Sequence, residues 1–131
     1  MRSKKIKILL IEDDYFLAGI YLTKFKLEGF EIFLAQDGEQ GLRFANSKKP
    51  DIILLDIFLP KKDGFAILQD LKKSSTTKNI PVIMMTNLSE SENIKKAVNL
   101  GAVDYLVKSN FLPNEIVEKV KQVLSKGVGA R

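Results

Sequence analysis

Apolar runs recur along this chain about every 25 residues, at positions 6–11, 31–35, 52–55, 82–85 and 105–107, with helical spacing of apolar residues between them. That alternation predicts βαβ units and a parallel sheet flanked by helices. The second run, EIFLA, is short and more polar, which suits an edge strand. The first, third and fourth are almost wholly apolar, as central strands covered on both faces are. The helical stretches are predicted at 15–27, with an apolar stripe including Leu17, Ile20 and Tyr21 and a stop at Gly29; from Gly38 to Asn46; and from Gly64 through Ile67, Leu68 and Leu71 to the loop at 74–77. A fourth helix opens with Ser89 and Glu92 at capping-box spacing and carries Ile94, Ala97 and Val98. The fifth follows Pro113, with Ile116, Val117, Val120, Val123 and Leu124 on one face. One domain over 1–125 and a flexible tail over 126–131 complete the expected layout.

The strand pattern acquires chemistry at its ends. LLIEDD closes on Glu12, Asp13 and Asp14, IILLD on Asp56, VIMMT on Thr86 and YLVK on Lys108. In a parallel sheet these ends share one edge, and ligands of open α/β sheets bind in the crevice outside that edge. Taken singly, each residue has a plain structural role. Asp14 suits a helix cap, Asp63 and Gly64 a turn and helix start, Thr86 a strand end, Lys108 a solvated surface and Tyr105 the core. Only the joint pattern argues for a site.

Composition narrows what such a site can do. With no cysteine and no histidine, thiol nucleophiles, disulfides, imidazole metal sites and histidine phospho-carriers are all excluded from this chain. No apolar run approaches the roughly 18 residues of a membrane span, so a cytoplasmic protein is expected. The formal charge of +5 comes largely from dispersed lysine pairs rather than from one recognition helix, so neither nucleic acid nor membrane is expected as a direct partner.

Carboxylates about 4 Å apart repel by roughly 4 kcal/mol at an effective dielectric near 20. A small set of hard oxygen ligands with room for water suits Mg²⁺, which would leave one carboxylate free to attack a phosphoryl group while a lysine and a hydroxyl share its charge.

The stretches LLIEDD, DGEQGL, IILLDIFLPKKDGF, IPVIMMT and GAVDYLVK, in this order and spacing, resemble the receiver domain of two-component response regulators across positions 6–124. The resemblance implies a flavodoxin-like, doubly wound α/β fold, with a five-stranded parallel sheet of order 2-1-3-4-5 and five helices. It implies Asp56 as the phospho-accepting nucleophile. Mg²⁺ would be held by Asp13, Asp56 and the Phe58 carbonyl, with Glu12 holding metal-bound water. Thr86 and Lys108 would contact the phosphoryl group, and Thr86 with Tyr105 would form the switch. A separate histidine kinase or histidine phosphotransfer protein would supply the phosphoryl group, and an effector would bind the face of the fourth helix, fifth strand and fifth helix. The chain would catalyse only its own phosphotransfer and dephosphorylation, and is otherwise not an enzyme.

Two departures stand out. Ser109 follows Lys108 where the family commonly has proline, and a cis bond there would cost about 2.5 to 4 kcal/mol, so a trans bond and a different loop are expected. Phe58 and Asn87 stand where smaller side chains are frequent and flank the path of an attacking water, which is expected to alter the acyl phosphate's lifetime. The competing readings are a phosphorylation-independent interaction module and a Mg²⁺-dependent phosphatase, the latter without a visible lid or a second catalytic acid after Asp56.

Overall fold

The computed structural model describes residues 5–87 and 91–129. Its elements run β1 (Lys7–Ile11), α1 (Tyr15–Leu27), β2 (Glu31–Ala35), α2 (Gly38–Lys48), β3 (Ile52–Asp56), α3 (Gly64–Lys73), β4 (Val82–Thr86), α4 (Ser91–Asn99), β5 (Asp104–Val107), a 3-10 turn (Lys108–Asn110) and α5 (Pro113–Gly129). The strands form one parallel sheet of order β2-β1-β3-β4-β5. This is the flavodoxin-like architecture that the resemblance implied, and the polar EIFLA run lies at an edge as expected.

Side chains alternate across a strand, and here both sets are apolar. Ile8, Leu10, Ile52, Leu54, Ile83 and Met85 face α1 and α5, meeting Ala18, Tyr21, Phe25, Ile116, Val117 and Val120. Leu9, Ile11, Ile53, Leu55 and Met84 face the other way, toward Ala45 of α2, Phe65, Ile67, Leu68 and Leu71 of α3, and Ala97 of α4. The central strands are therefore buried on both faces, which is why they read as unbroken apolar runs.

Each helix returns antiparallel to its strand, so helix starts collect at the sheet's C-terminal edge. Three aspartates cap them: Asp14 Oδ1 accepts from the Leu17 N–H at 3.1 Å, Asp37 Oδ1 from Gln40 at 2.8 Å and Asp63 Oδ1 from Ala66 at 3.0 Å. Asp14 thus has the capping role its position suggested.

Three sequence expectations change. Asp56 and Thr86 belong to their strands as last residues, because β3 and β4 keep pairing through Asp56 opposite Met85 and β4 and β5 through Thr86 opposite Val107. The buried stripe of α1 is Ala18, Tyr21 and Phe25, whereas Ile20 lies on the outer side with Tyr15, Phe16 and Leu27. Helix α2 runs on to Lys48 and stops where Lys49 takes a left-handed φ of 50°. Helix α5 continues to Gly129, into the span expected as a tail, because serine, lysine and even glycine only weaken a helix whose earlier turns are already packed. Ser89, expected to open the fourth helix, lies outside the described residues. Among the described residues no helix is long and apolar enough to cross a membrane.

Candidate functional site

The chain brings Glu12, Asp13, Asp56 and Lys108 together at the C-terminal edge of the sheet. Glu12 directly follows β1, its backbone held by a 2.9 Å bond from its N–H to the Ala35 carbonyl. Asp56 ends β3, and Lys108 opens the turn after β5. One carboxylate oxygen from each of Glu12, Asp13 and Asp56 lies within 4.8 Å of the others; Glu12 and Asp56 are buried and Asp13 is exposed. Into this group comes Lys108, whose Nζ lies 2.6 Å from Glu12 Oε1 and 3.2 Å from Asp56 Oδ2. The second oxygen of Glu12 accepts the Asp14 N–H at 3.1 Å. The Phe58 N–H lies 3.4 Å from Asp56 Oδ1, and the Phe58 ring is exposed.

Charge in this crevice is costly. The Asp56 carboxyl is raised to about 7, chiefly by burial, with Lys108 pulling it down and the Glu12 charge pushing it up. Burial pulls the Lys108 ammonium down, but its bond to Glu12 and the fields of Asp56 and Glu12 leave it above its ordinary value. A buried carboxyl that gives up its proton only near neutrality is one whose negative charge lacks full compensation. The donor set is oxygen only, open on the Asp13 side, and so fits a hard divalent cation.

Local backbone makes the crevice possible at Gly64. Its N–H donates to the Ile57 carbonyl at 2.7 Å. A Cβ there would run into the Asp56 carbonyl oxygen and lie 2.7 Å from Ile57 Cα, both backbone atoms that cannot step aside. Glycine therefore lets the start of α3 close against the strand that carries Asp56.

Thr86 is fully buried at the end of β4, the strand next to β3. Met84 pairs with Tyr105 and Thr86 with Val107, which sets Thr86 and Tyr105 on the same face of the sheet. Tyr105 is partly buried against the cluster under α2, α3 and α4. Among the described residues no peptide is cis, and Lys108 reaches both acids from a 3-10 turn. The loop thus differs in the way Ser109 suggested, and the lysine still arrives.

Two features went unread in the sequence. The shortest contact of Lys108 is with Glu12, 96 residues away, and no local pattern announces it. Tyr21 reads in the sequence only as part of an apolar stripe. Its phenol is raised by burial, then lowered by the field of Lys108 and raised by those of Glu12 and Asp56. The spacing of 18, 21 and 25 would have placed it on the buried face.

An acidic pocket with one lysine at the C-terminal edge of a 2-1-3-4-5 sheet defines a class: flavodoxin-like signalling domains with an aspartate at the end of the third strand. The response regulator receiver domain matches residues 8–121, and the chain belongs to that family. It is 35% identical over 123 residues to the probable transcriptional regulator ycf27 of Porphyridium aerugineum, a match covering 94% of this chain and 50% of that protein. It is 34% identical over 120 residues to the DNA-binding dual master transcriptional regulator RpaA of Synechocystis sp., covering 92% of this chain and 49% of that one. The chain thus spans about half the length of the curated relatives it matches. A CheY-like response regulator receiver domain protein from Methanospirillum hungatei superposes with a TM-score of 0.90 at 26% identity, covering 98% of this chain and 100% of that one. The chain is therefore a receiver domain of two-component response regulators.

Proposed function

We propose that this receiver works as a phosphorylation-operated switch, with Asp56 accepting the phosphoryl group from a separate histidine kinase or histidine phosphotransfer protein. The observation that carries this is the three-carboxylate cluster with the Lys108 ammonium 3.2 Å from Asp56. Mg²⁺ would be held by Asp13, Asp56 and the Phe58 carbonyl, with Glu12 holding a metal-bound water. When bound, it supplies the positive charge that the carboxylates lack and draws charge from the phosphoryl oxygens.

The chain's own residues divide the remaining work. An Asp56 Oδ atom forms the bond to phosphorus as the bond from phosphorus to the donor breaks, leaving an acyl phosphate on the chain. Lys108 pairs with a phosphoryl oxygen, and the Thr86 hydroxyl donates to another. Movement of Thr86 lets Tyr105, on the same sheet face, change rotamer, which alters the surface of α4, β5 and α5 offered to an effector. Phosphorylation then shifts an equilibrium between two states of that surface. The chain promotes only its own modification and its reversal. That several relatives are named transcriptional regulators supports an output in transcription for the longer proteins in which such a receiver is found.

The test is intact mass after incubation with Mg²⁺ and acetyl phosphate. The native chain is expected to gain one phosphoryl group and Asp56→Asn none. A folded native chain that gains nothing would overturn the reading and leave a phosphorylation-independent interaction module.

A further inference from the structure

The edge of the sheet opposite Asp56 holds a cleft of about 1350 Å³ that the switch reading does not use. It lies where β1, β3, β4 and β5 begin, beside the second half of α5. Five lysines line it: Lys5, Lys7, Lys49, Lys119 and Lys126. Only two acids join them, and both are engaged by backbone. Asp51 Oδ2 accepts the Lys7 N–H and Asp104 Oδ1 the Tyr105 N–H, each at 2.8 Å. Among the described residues none of the five lysines makes an ion pair. Lys7 Nζ lies 3.5 Å from the Lys48 carbonyl, and Lys119 lies over the Phe111 ring.

Between the lysines the wall is largely aliphatic, with Asn79 and Gln122 as its uncharged polar members. Ile6, Pro81, Val103, Val123 and Leu124 line the cleft, and Val103 is 51% exposed. Among the described residues no aromatic ring and no arginine lines the cleft, so none of them stacks a base or grips a phosphate with a fork of donors. The volume also exceeds the few hundred to about 1,000 Å³ usual for small-molecule pockets. A short extended segment suits it better, one that brings carboxylates to the rim and aliphatic side chains to the wall.

We propose that this cleft docks an acidic segment, bearing aliphatic side chains, of a partner protein. Parallel strands five residues long set this edge roughly 17 Å from the carboxylate edge. Docking there leaves Asp56 free, so the partner is held whether or not the aspartate is modified.

The probe is a short blocked peptide of alternating glutamate and leucine, titrated at low salt into the isotopically labelled full chain. Amide shifts are expected at 5–7, 49–51, 103–104 and 119–126, with affinity falling as salt is raised. The triple change Lys5→Glu, Lys49→Glu and Lys126→Glu is expected to weaken binding about tenfold, the combined effect of three screened rim charges, while leaving phosphoryl incorporation on Asp56 intact. A peptide with glutamine in place of glutamate, offered to the unaltered protein, makes the same comparison without touching the fold and is expected to lose binding likewise. Shifts confined to other surfaces, binding indifferent to both charge changes, or tighter binding of a single-stranded oligonucleotide at this edge would each overturn the proposal.

Discussion

At the scale of single residues, Asp56 couples chemistry to stability. Its folded-state carboxyl titrates at about 7 against an ordinary 3.8, so between those values the folded chain holds a proton that the unfolded chain has released. That difference favours folding at low pH and is lost as pH rises through about 7. Without divalent cation, the protein is expected to become less stable from about pH 4 to pH 7. Asp56→Asn should flatten that slope and raise Tm at neutral pH by about 5 °C, on the order of 2 kcal/mol, as followed by circular dichroism. Lys108 acts in the opposite sense. Lys108→Met leaves Glu12 and Asp56 buried without their ammonium and is expected to cost about 3 kcal/mol in urea unfolding at neutral pH. The loss should shrink when Asp56→Asn is also present, because the two side chains share one interaction. On the proposed function, Phe58→Asn and Asn87→Ala are expected to change the rate at which the phosphoryl mass is lost. An unchanged rate would remove both side chains from control of the attacking water.

At the scale of elements, the junction of β3 and α3 is the tightest point of the site. Gly64→Ala would push backbone against backbone at Asp56 and Ile57, and is expected to destabilise the protein by about 2 kcal/mol and to lower phosphoryl incorporation. Intact incorporation at native stability would show that the strand end tolerates the shift. Much of this level could be read from sequence because the relevant signals are local. Two-sided burial produced the apolar runs, Asp14 and Asp63 stood where caps belong, and one register carried Asp56, Thr86 and Lys108 to one edge. Helix α1 was misread because it is apolar on both sides. Tyr15, Phe16, Ile20 and Leu27 face outward, so composition could not separate its buried face from its exposed one. The bond between Lys108 and Glu12 was out of reach because it depends on the path of a 3-10 turn that begins 96 residues after Glu12. The packed residues of α5 stop at Leu124 while its backbone bonding runs on to Gly129, a stretch that no apolar pattern marks in the sequence.

At the scale of the whole molecule, cation binding and folding are expected to be linked. On the proposed function, Mg²⁺ at a hundred times its Kd should stabilise the protein by about 2.7 kcal/mol. Asp13→Asn should abolish most of that gain in a thermal melt, and an equal gain in that variant would place the cation elsewhere. The same one-way run of the strands has an electrical consequence. Helix starts, with Asp14, Asp37 and Asp63, stand at the edge that holds Glu12, Asp13 and Asp56. Last turns, with Lys24, Lys26, Lys48, Lys72, Lys73 and Lys126, stand toward the other. A formal charge of +5 spread evenly would leave the protein indifferent to how it turns near a charged surface. Segregated along the strand axis, the charges form a permanent dipole, and the molecule acquires a preferred orientation. Facing a negative surface it turns its lysine end inward and presents the carboxylate crevice to solvent, open to whatever approaches from that side.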